Sequence, residues 1–259
     1  MPRSSVEGRI RRDRLASILR TQENVSTAEL AEQFRVSEMT IRRDLKQLQE
    51  EGVAVPCYGG AIAAQRITFE FDFEEHRRTH LAEKRRVAEA AVAEISNGQT
   101  IFLDTGTTSL ELAKAIGREN LHVTIITTSL VVASELWARA NIRLQLLGGD
   151  VRVRSPDLVG PLTEIMLDRL SADIAFLGSD GIDPDRGSFG SDVETARICE
   201  RMGANAKKVV VISDSSKLGR VGAARYIKIE NIDLLITDTA ADPKLVKRLS
   251  NQGVEVKRV

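Results

Sequence analysis

Residues 100–108 have the sequence TIFLDTGTT, in which four strand-forming residues run into a loop of small polar ones. Gly106 permits a tight backbone turn, and Thr107 and Thr108 offer hydroxyl groups beside it. The apolar spacing that follows predicts a helix, whose free N–H groups and positive dipole end would face this loop. Together these features favour a phosphate-binding turn. The same residues also fit a plain N-capped turn that holds no ligand.

The remainder of residues 81–259 repeats this alternation of apolar strands with amphipathic helices. Further strands are predicted at residues 123–127, 142–147, 174–177, 209–213 and 234–237. Helices are predicted at residues 81–95, 109–116, 130–138, 162–170, 193–205 and 243–251. Such alternation predicts an α/β domain, a mostly parallel sheet with helices on both faces.

Small polar residues and glycines follow several of these strands, whose carboxyl ends meet at one edge of a parallel sheet. Besides the loop at 104–108 they are Thr128, Ser129, Gly148, Gly149, Gly178, Asp180, Gly181 and Lys217. Together they predict a polar pocket, in which Lys217 can supply positive charge. Carboxylates at Asp104, Asp180 and Glu194 can accept hydrogen bonds from sugar hydroxyls. Each of these residues taken singly also fits an ordinary loop.

Three short helices followed by a hairpin are predicted for residues 1–62. In the third helix Ile41, Leu45 and Leu48 share one face, which we expect to point inward. The residues at its start or on its outer side are Ser37, Met39, Thr40, Arg42, Arg43 and Lys46. A tight turn before a helix with a basic outer face favours a winged helix-turn-helix domain that binds DNA. A solvated basic face or a protein-docking module fits the same pattern.

A connector separates the two predicted domains. The predicted boundaries are 1–62, 63–79 and 80–259. Within the connector Phe69, Phe71 and Phe73 alternate with acidic residues, which predicts an extended strand with one apolar edge. Two interpretations stay open: the segment docks on the second domain or another subunit, or its phenylalanines lie in a locally buried turn.

The 259-residue chain has 37 Lys and Arg residues against 37 Asp and Glu, so its formal net charge is zero. This balance excludes a uniformly basic surface but not a local basic face. No apolar run approaches the roughly 18 residues of a membrane span, and the N-terminus lacks the apolar region of a signal peptide. The cysteines and histidines match no metal or redox spacing. We therefore expect a cytoplasmic protein without membrane contact, cofactor or metal.

The run VSEMTIRRDL at residues 36–45, followed by Leu48 and Gly52, closely resembles the signature of the DeoR/GlpR family of bacterial transcriptional regulators. The run YGGA at 58–61 resembles its wing, with Tyr58 where the family often has His. The resemblance covers nearly the whole chain. It continues through Glu83-Lys84, the 104–108 loop, TTSL at 127–130, Gly148-Gly149, Gly160, DxxFxG at 173–178 and DSSK at 214–217. Thr128 stands where the family usually has Asn.

This resemblance implies a second-domain fold related to ribose-5-phosphate isomerase and glucosamine-6-phosphate deaminase, and a phosphorylated sugar as the effector. It implies that phosphate is held by Gly106, Thr107 and Thr108, and that the sugar is contacted by Asp104, Glu194 and Lys217. The outer residues of the third helix and Tyr58 would contact double-stranded operator DNA.

The leading hypothesis is a sugar-phosphate-responsive transcriptional regulator, most simply a repressor of a carbohydrate catabolic operon, and not an enzyme. Helix-turn-helix proteins usually bind paired half-sites, so we expect a homo-oligomer, either a dimer or a tetramer. The alternative is a sugar-phosphate isomerase or deaminase with an appended DNA-binding domain. A lysine beside carboxylates near a phosphate site can move protons between sugar isomers.

Overall fold

The computed structural model describes residues 8, 10–16, 18, 24–50, 54–57, 60–63, 73–152 and 155–259. The chain divides into two compact units, residues 1–68 and 69–259. The described elements of the first unit are β1 (Asn24–Ser26), α1 (Thr27–Phe34), α2 (Glu38–Glu50), β2 (Ala54–Cys57) and β3 (Gly60–Ala63). Its strands form an antiparallel sheet in the order β1-β3-β2. The predicted hairpin is therefore confirmed, whereas β1 has no signal of its own in the sequence.

The turn between α1 and α2 is closed by Arg35, which adopts the left-handed conformation with φ 53°. The N–H groups of Arg35 and Val36 donate to the carbonyl oxygens of Glu32 and Ala31 at 3.1 and 3.0 Å. These two bonds satisfy the last carbonyls of α1 and reverse the chain within a few residues. The buried core beneath the turn consists of Leu15, Leu30, Ala31, Ile41, Leu45 and Leu48. The predicted inward face of α2 is thus confirmed.

Asp44 is a charged residue on the buried side of α2, with 4% of its surface exposed. The Arg11 Nε donates to its Oδ2 at 2.6 Å, and an Arg12 guanidinium nitrogen lies 3.6 Å from Oδ1. A buried carboxylate without such partners is costly. These ion pairs therefore tie α2 to the helical residues 10–16.

The second unit is built on a seven-stranded sheet whose paired strands are all parallel, in the order β15-β14-β12-β9-β4-β5-β6. Its helices are α3 (Phe73–Arg78), α4 (Leu81–Val92), α5 (Thr107–Arg118), α6 (Leu130–Leu136), α7 (Pro161–Leu167), α8 (Val193–Ala204) and α9 (Pro243–Asn251). Its strands are β4 (Thr100–Leu103), β5 (Val123–Thr127), β6 (Ile142–Leu146), β7 (Asp150–Val151), β8 (Leu158–Val159), β9 (Ala172–Leu177), β10 (Gly181–Asp183), β11 (Gly187–Gly190), β12 (Ala206–Ile212), β13 (Ala224–Ile227), β14 (Leu234–Thr237) and β15 (Glu255–Arg258).

Both faces of this sheet are covered by helices. Successive side chains of a strand point to opposite faces, so Ile101 and Leu103 join a core with α4, α5 and α6. Phe102 joins a second core, on the other face, with residues of α7, α8 and α9. The predicted α/β architecture is confirmed, because the apolar strands are buried from both sides. None of the helices in the described ranges is long and apolar enough to cross a membrane.

Several features of the second unit differ from the sequence predictions; the strands β7, β8 and β15, for instance, were not predicted. Phe73 is buried and begins helix α3, so the interpretation as an extended strand is wrong at this residue, while Phe69 and Phe71 lie outside the described residues. One buried phenylalanine anchors the helix, and the polar residues after it favour helix formation. The small antiparallel sheet β10-β11-β13 was also not predicted from the sequence. Its strands are three or four residues long, too short for a clear periodic pattern.

Replacing Asp44 by Ala should destabilise the first unit by about 1–3 kcal/mol, because two guanidinium groups lose their carboxylate partner. Hydrogen–deuterium exchange of the amides of α1 and α2 measures this loss locally. Glu38→Gln is the matched control on the same helix, since Glu38 pairs with Arg42 at 3.3 Å on the exposed surface. It should cost less than about 0.5 kcal/mol. Equal effects of the two substitutions would contradict a structural role for the buried pair.

Candidate functional site

A pocket lies at the carboxyl edge of the parallel sheet, where β4, β9 and β12 end. Seven predicted effector-binding residues line it: Asp104, Gly106, Thr107, Thr108, Gly178, Asp180 and Lys217. They follow three different strands, so the parallel topology brings distant parts of the sequence together. Their contact with an effector stays a prediction.

The helix α5 begins in this pocket at Gly106, which has φ 108° and makes no side-chain cap. This conformation disfavours any residue with a Cβ atom, so glycine is required by the backbone. The first N–H groups of a helix have no partner within it, and here the hydroxyl-bearing residues Thr107 and Thr108 carry two of them. The arrangement can bind an anion through N–H groups, hydroxyl groups and the helix dipole.

The other six predicted effector residues do not line the pocket. Ser129 caps α6 by accepting a hydrogen bond from the Val132 N–H at 3.3 Å. Thr128 is fully buried beside it, and its hydroxyl has no hydrogen-bond partner among the described residues. Glu194 is exposed in the first turn of α8. None of these three residues is among those that line the pocket.

Of the three remaining glycines, Gly149 and Gly181 are required by close packing. The Gly148 carbonyl accepts a hydrogen bond from the Thr163 hydroxyl at 2.7 Å. A side chain at Gly149 would collide with that threonine and with the Val159 carbonyl oxygen. Gly181, at the start of β10, packs as tightly against backbone atoms of residues 220–222. Packing, without any ligand, explains why glycine occupies positions 149 and 181, whereas a Cβ atom at Gly148 would meet no atom within 4 Å.

Lys84 of α4 also lines the pocket, although it is not among the predicted effector-binding residues. Only 4% of its surface is exposed. Its Nζ donates to the carbonyl oxygen of Thr79 at 2.7 Å and to that of His76. Burial lowers the pKa of Lys84, the negative charge of Asp214 raises it, and the positive charge of Lys217 lowers it again. Residue 84 shares the buried face of α4 with residues 87, 88 and 91. A lysine at a position whose spacing predicts burial is therefore the sequence signal that could have identified this site residue.

Arg152 is a second pocket residue outside the prediction. Its Nε and one terminal nitrogen donate to the two Asp157 carboxylate oxygens at 2.7 and 2.8 Å, and the other nitrogen donates to Asp192 at 2.5 Å. Burial acts to lower the pKa of Arg152, but the hydrogen bonds and charges of these two carboxylates raise it. Asp192 also caps α8 through the Thr195 N–H. The network fixes the β7–β8 segment to the start of α8.

Asp104 lies at the end of β4 with 4% of its surface exposed. Its carboxylate accepts hydrogen bonds from the Gly178 N–H at 2.9 Å, the Thr105 N–H at 2.6 Å and the Cys199 thiol at 3.3 Å. Burial raises the pKa of Asp104 to about 7, although these three donors act to lower it. Burial also raises the pKa of the Cys199 thiol, which stays protonated as a donor. The pocket therefore contains a carboxyl group that changes charge near neutral pH.

The candidate DNA-binding face lies on α2 in the first unit. Its predicted residues Met39, Arg42, Arg43 and Lys46 are exposed, and Met39 has 74% of its surface accessible. Ser37 precedes the helix, and its hydroxyl accepts from the Thr40 N–H at 3.3 Å and lies 3.0 Å from the Thr40 hydroxyl. Tyr58 lies outside the described residues. The exposed residues thus share one side of α2, opposite its buried apolar face.

We predict that the stability of the second unit falls between pH 5 and pH 7 because of Asp104. The unfolded chain releases this proton near the ordinary pKa of 3.8, whereas the folded protein keeps it up to about 7. The folded state therefore binds more protons in this window, and its free energy of unfolding decreases as the pH rises. The contribution of Asp104 is about 2 kcal/mol between pH 5 and pH 7, at 1.36 kcal/mol per pKa unit and with the folded group half ionised at pH 7.

Melting temperatures measured from pH 5 to pH 8 for the wild type and Asp104→Asn test this expectation. The substitution should remove the decrease and add a loss that does not depend on pH, since one N–H donor loses its acceptor. Glu200→Gln, at an exposed site on α8, should retain the wild-type profile. Parallel profiles for the wild type and Asp104→Asn would contradict the raised pKa.

Two family models match this chain. The DeoR-like helix-turn-helix domain matches residues 11–66, and the DeoR C terminal sensor domain matches residues 79–239. The first includes α1, α2 and the hairpin, and the second includes every pocket-lining residue except His76. The matches thus coincide with the two sites described above.

Curated relatives resemble the chain along nearly its whole length. The HTH-type transcriptional regulator GlpR of Haloferax volcanii is 33% identical over 95% of this chain and 96% of its own. A putative aga operon transcriptional repressor of Escherichia coli O157:H7 is 35% identical over 95% and 92%. The glycerol-3-phosphate regulon repressor of Escherichia coli K12 is 31% identical over 95% and 97%.

A solved ribose 5-phosphate isomerase A from Methanocaldococcus jannaschii is 25% identical over 54% of this chain and 55% of its own, with a TM-score of 0.41. The three curated relatives are named as regulators or repressors of transcription, so this protein is a DNA-binding regulator and not an enzyme. With a sensor-domain model over more than half of its length and relatives above 30% identity over almost all of it, the chain belongs to the DeoR family of helix-turn-helix transcriptional regulators.

Proposed function

We propose that this protein represses a carbohydrate catabolic operon, and that a phosphorylated sugar in the pocket modulates its binding to operator DNA. One observation carries the proposal: a helix N-terminus without a side-chain cap, two lysines and three carboxyl groups line the same pocket. The name of one relative, a glycerol-3-phosphate regulon repressor, connects the family with phosphorylated metabolites.

The chemistry of the pocket suits a phosphate group with a hydroxylated carbon chain. The start of α5 offers N–H and hydroxyl donors, and Lys84 and Lys217 add two positive charges. Carboxyl groups can accept hydrogen bonds from sugar hydroxyls, and here Asp104, Asp180 and Asp214 are available. A ligand with an anionic end and a polyol end satisfies both sets of groups at once.

Lys84 provides a route from the pocket to α3. The residue lines the pocket, and its Nζ donates to the carbonyl oxygens of His76 and Thr79, at the end of α3 and directly after it. An anionic ligand attracts the same ammonium group and so competes with those carbonyls. Residues 64–72 join α3 to the hairpin strand β3 of the DNA-binding domain. We infer that effector binding shifts the population of α3 arrangements, and with it the affinity for DNA.

Lys84→Met is expected to loosen α3 in the absence of any effector, because the carbonyls lose their donor. The amides of residues 73–80 should then exchange faster in deuterated buffer, and a sugar phosphate should no longer change that rate or the affinity for DNA. The sugar phosphate used is the compound in a triose-to-hexose phosphate panel that most raises the wild-type melting temperature.

Lys217→Met is the matched comparison, because Lys217 lines the pocket but is not bonded to α3. It should weaken binding of the same compound about 10- to 100-fold by calorimetry, in line with the loss of a charged hydrogen bond. Exchange at residues 73–80 should stay at the wild-type rate. If no compound in the panel stabilises the wild type, the sugar-phosphate effector is refuted. If both variants exchange alike, the role of Lys84 in coupling is refuted.

We further propose that the exposed side of α2 enters the major groove of the operator. Exposed basic side chains at Arg42, Arg43 and Lys46, with Ser37, Met39 and Thr40 near the helix start, support this orientation. Tyr58, which lies outside the described residues, completes the proposed DNA-binding set. Paired half-sites require two recognition helices, so we propose that the protein acts as a homo-oligomer, a dimer or a tetramer.

Arg43→Ala should weaken binding to duplexes that the wild type selects from a random library. If Arg43 contacts a base, the loss is about 1–3 kcal/mol and specificity relaxes at one position. If it contacts a phosphate, the loss is nearly uniform across sequences and the salt slope decreases by about one. Arg225→Ala, at an exposed site on β13, serves as the charge-matched control. If Arg43→Ala binds DNA with the same affinity and the same salt slope as the wild type, this orientation of α2 is refuted.

A further inference from the structure

A second concave surface lies on the helices α3, α4 and α5 of the sensor domain. We call it the basic groove; it is lined by Arg77, Arg78, Leu81, Arg85, Glu111 and Lys114. It shares no lining residue with the effector pocket. Four of its six residues are basic, and the effector proposal uses none of them.

The one carboxylate among the described lining residues of the groove lies beneath its surface. Glu111 has 5% of its surface exposed, and it accepts from Arg85 Nε at 3.2 Å and from Lys114 Nζ at 2.5 Å. Arg85 nevertheless has 61% of its side chain exposed, and Arg77 and Arg78 are exposed in the last turn of α3. Solvent therefore meets exposed guanidinium groups, while the carboxylate of Glu111 is buried.

This concentration of positive charge is local. The chain as a whole has 37 basic and 37 acidic residues, so an overall excess of basic residues does not produce it. The groove is also unlike the effector pocket, because its described lining consists of side chains on a helical surface and includes no glycine loop at a helix N-terminus. Exposed arginines with planar, bidentate donors suit an extended row of phosphates better than an enclosed small ligand.

We propose that the basic groove binds the phosphate backbone of duplex DNA, so that the sensor domain contributes contacts of its own. The α3 helix is the first described element after the hairpin strands along the chain. The DNA that this protein binds is a continuous polyanion with one charge per about 1.7 Å of axis, which extends past any single recognised half-site. Contacts of this kind add affinity without reading sequence.

The test uses the full-length protein and a mixed-sequence DNA duplex of about 40 base pairs, a length chosen to exceed one recognised half-site. Binding is followed by fluorescence anisotropy over a range of KCl concentrations. Arg77→Gln with Arg78→Gln should make the slope of log K against log salt shallower by about 1.8, since each lost phosphate contact removes about 0.9. The melting temperature of the variant shows whether the domain remains folded. Both residues are exposed, and the hydrogen bonds of Glu111 described above are donated by Arg85 and Lys114.

Lys244→Gln with Lys247→Gln is the control, because it removes the same two charges from exposed positions on α9. Its slope should stay within about 0.5 of the wild-type value, well below the 0.9 expected for one contact. Equal slopes for the groove variant and the wild type would overturn the proposal. So would an equal decrease in the control, which would mean that only net charge matters. Arg43→Gln distinguishes this result from a failure of DNA binding by α2, because it should weaken binding to a duplex that the wild type selects, whether or not the groove takes part.

Discussion

Neighbouring parallel strands can be joined only by a crossover connection, and this constraint organises the sensor domain. Each crossover returns the chain across a face of the sheet, so every carboxyl strand end lies at the same edge. The loops after β4, β9 and β12 therefore converge, although Asp104 and Lys217 are far apart in the sequence. The same crossovers cover both faces with helices, which leaves this edge as the place where polar side chains can gather without disturbing either core.

Lys84 shows how the buried face of a helix can carry a polar function. It occupies a position of α4 that the spacing of Val87, Ala88 and Ala91 assigns to the core. An ammonium group there needs hydrogen-bond acceptors to offset its lost hydration. It finds them in two carbonyl oxygens at the end of α3. The position of α3 and the electrostatics of the pocket therefore depend on the same atom, which is why we connect them in one mechanism.

The sequence was sufficient for the features that depend on periodicity and on strand-end chemistry. Alternating apolar strands predicted the sheet, and the loop at 104–108 predicted where polar groups collect. It was insufficient where packing and ligand chemistry demand the same residue types. Gly149 looks like a binding-loop glycine, yet the space beside it is filled by Thr163. Conversely, Arg152 directly follows the two-residue strand β7, which is too short for a periodic signal, and only the fold brings it to Asp192.

Charge compensation explains how a chain of zero net charge can present several separate positive sites. On α2 the carboxylate of Asp44 is buried and paired inward, while the arginines of the outer side face solvent. In the basic groove Glu111 is likewise buried beneath the cations that it neutralises. Burying the acidic partner leaves the overall balance unchanged but removes its charge from the surface that an anion approaches. Because exposed charges are screened by salt more strongly than buried pairs, such surfaces bind polyanions in a salt-dependent way while the ion pairs beneath them hold the fold.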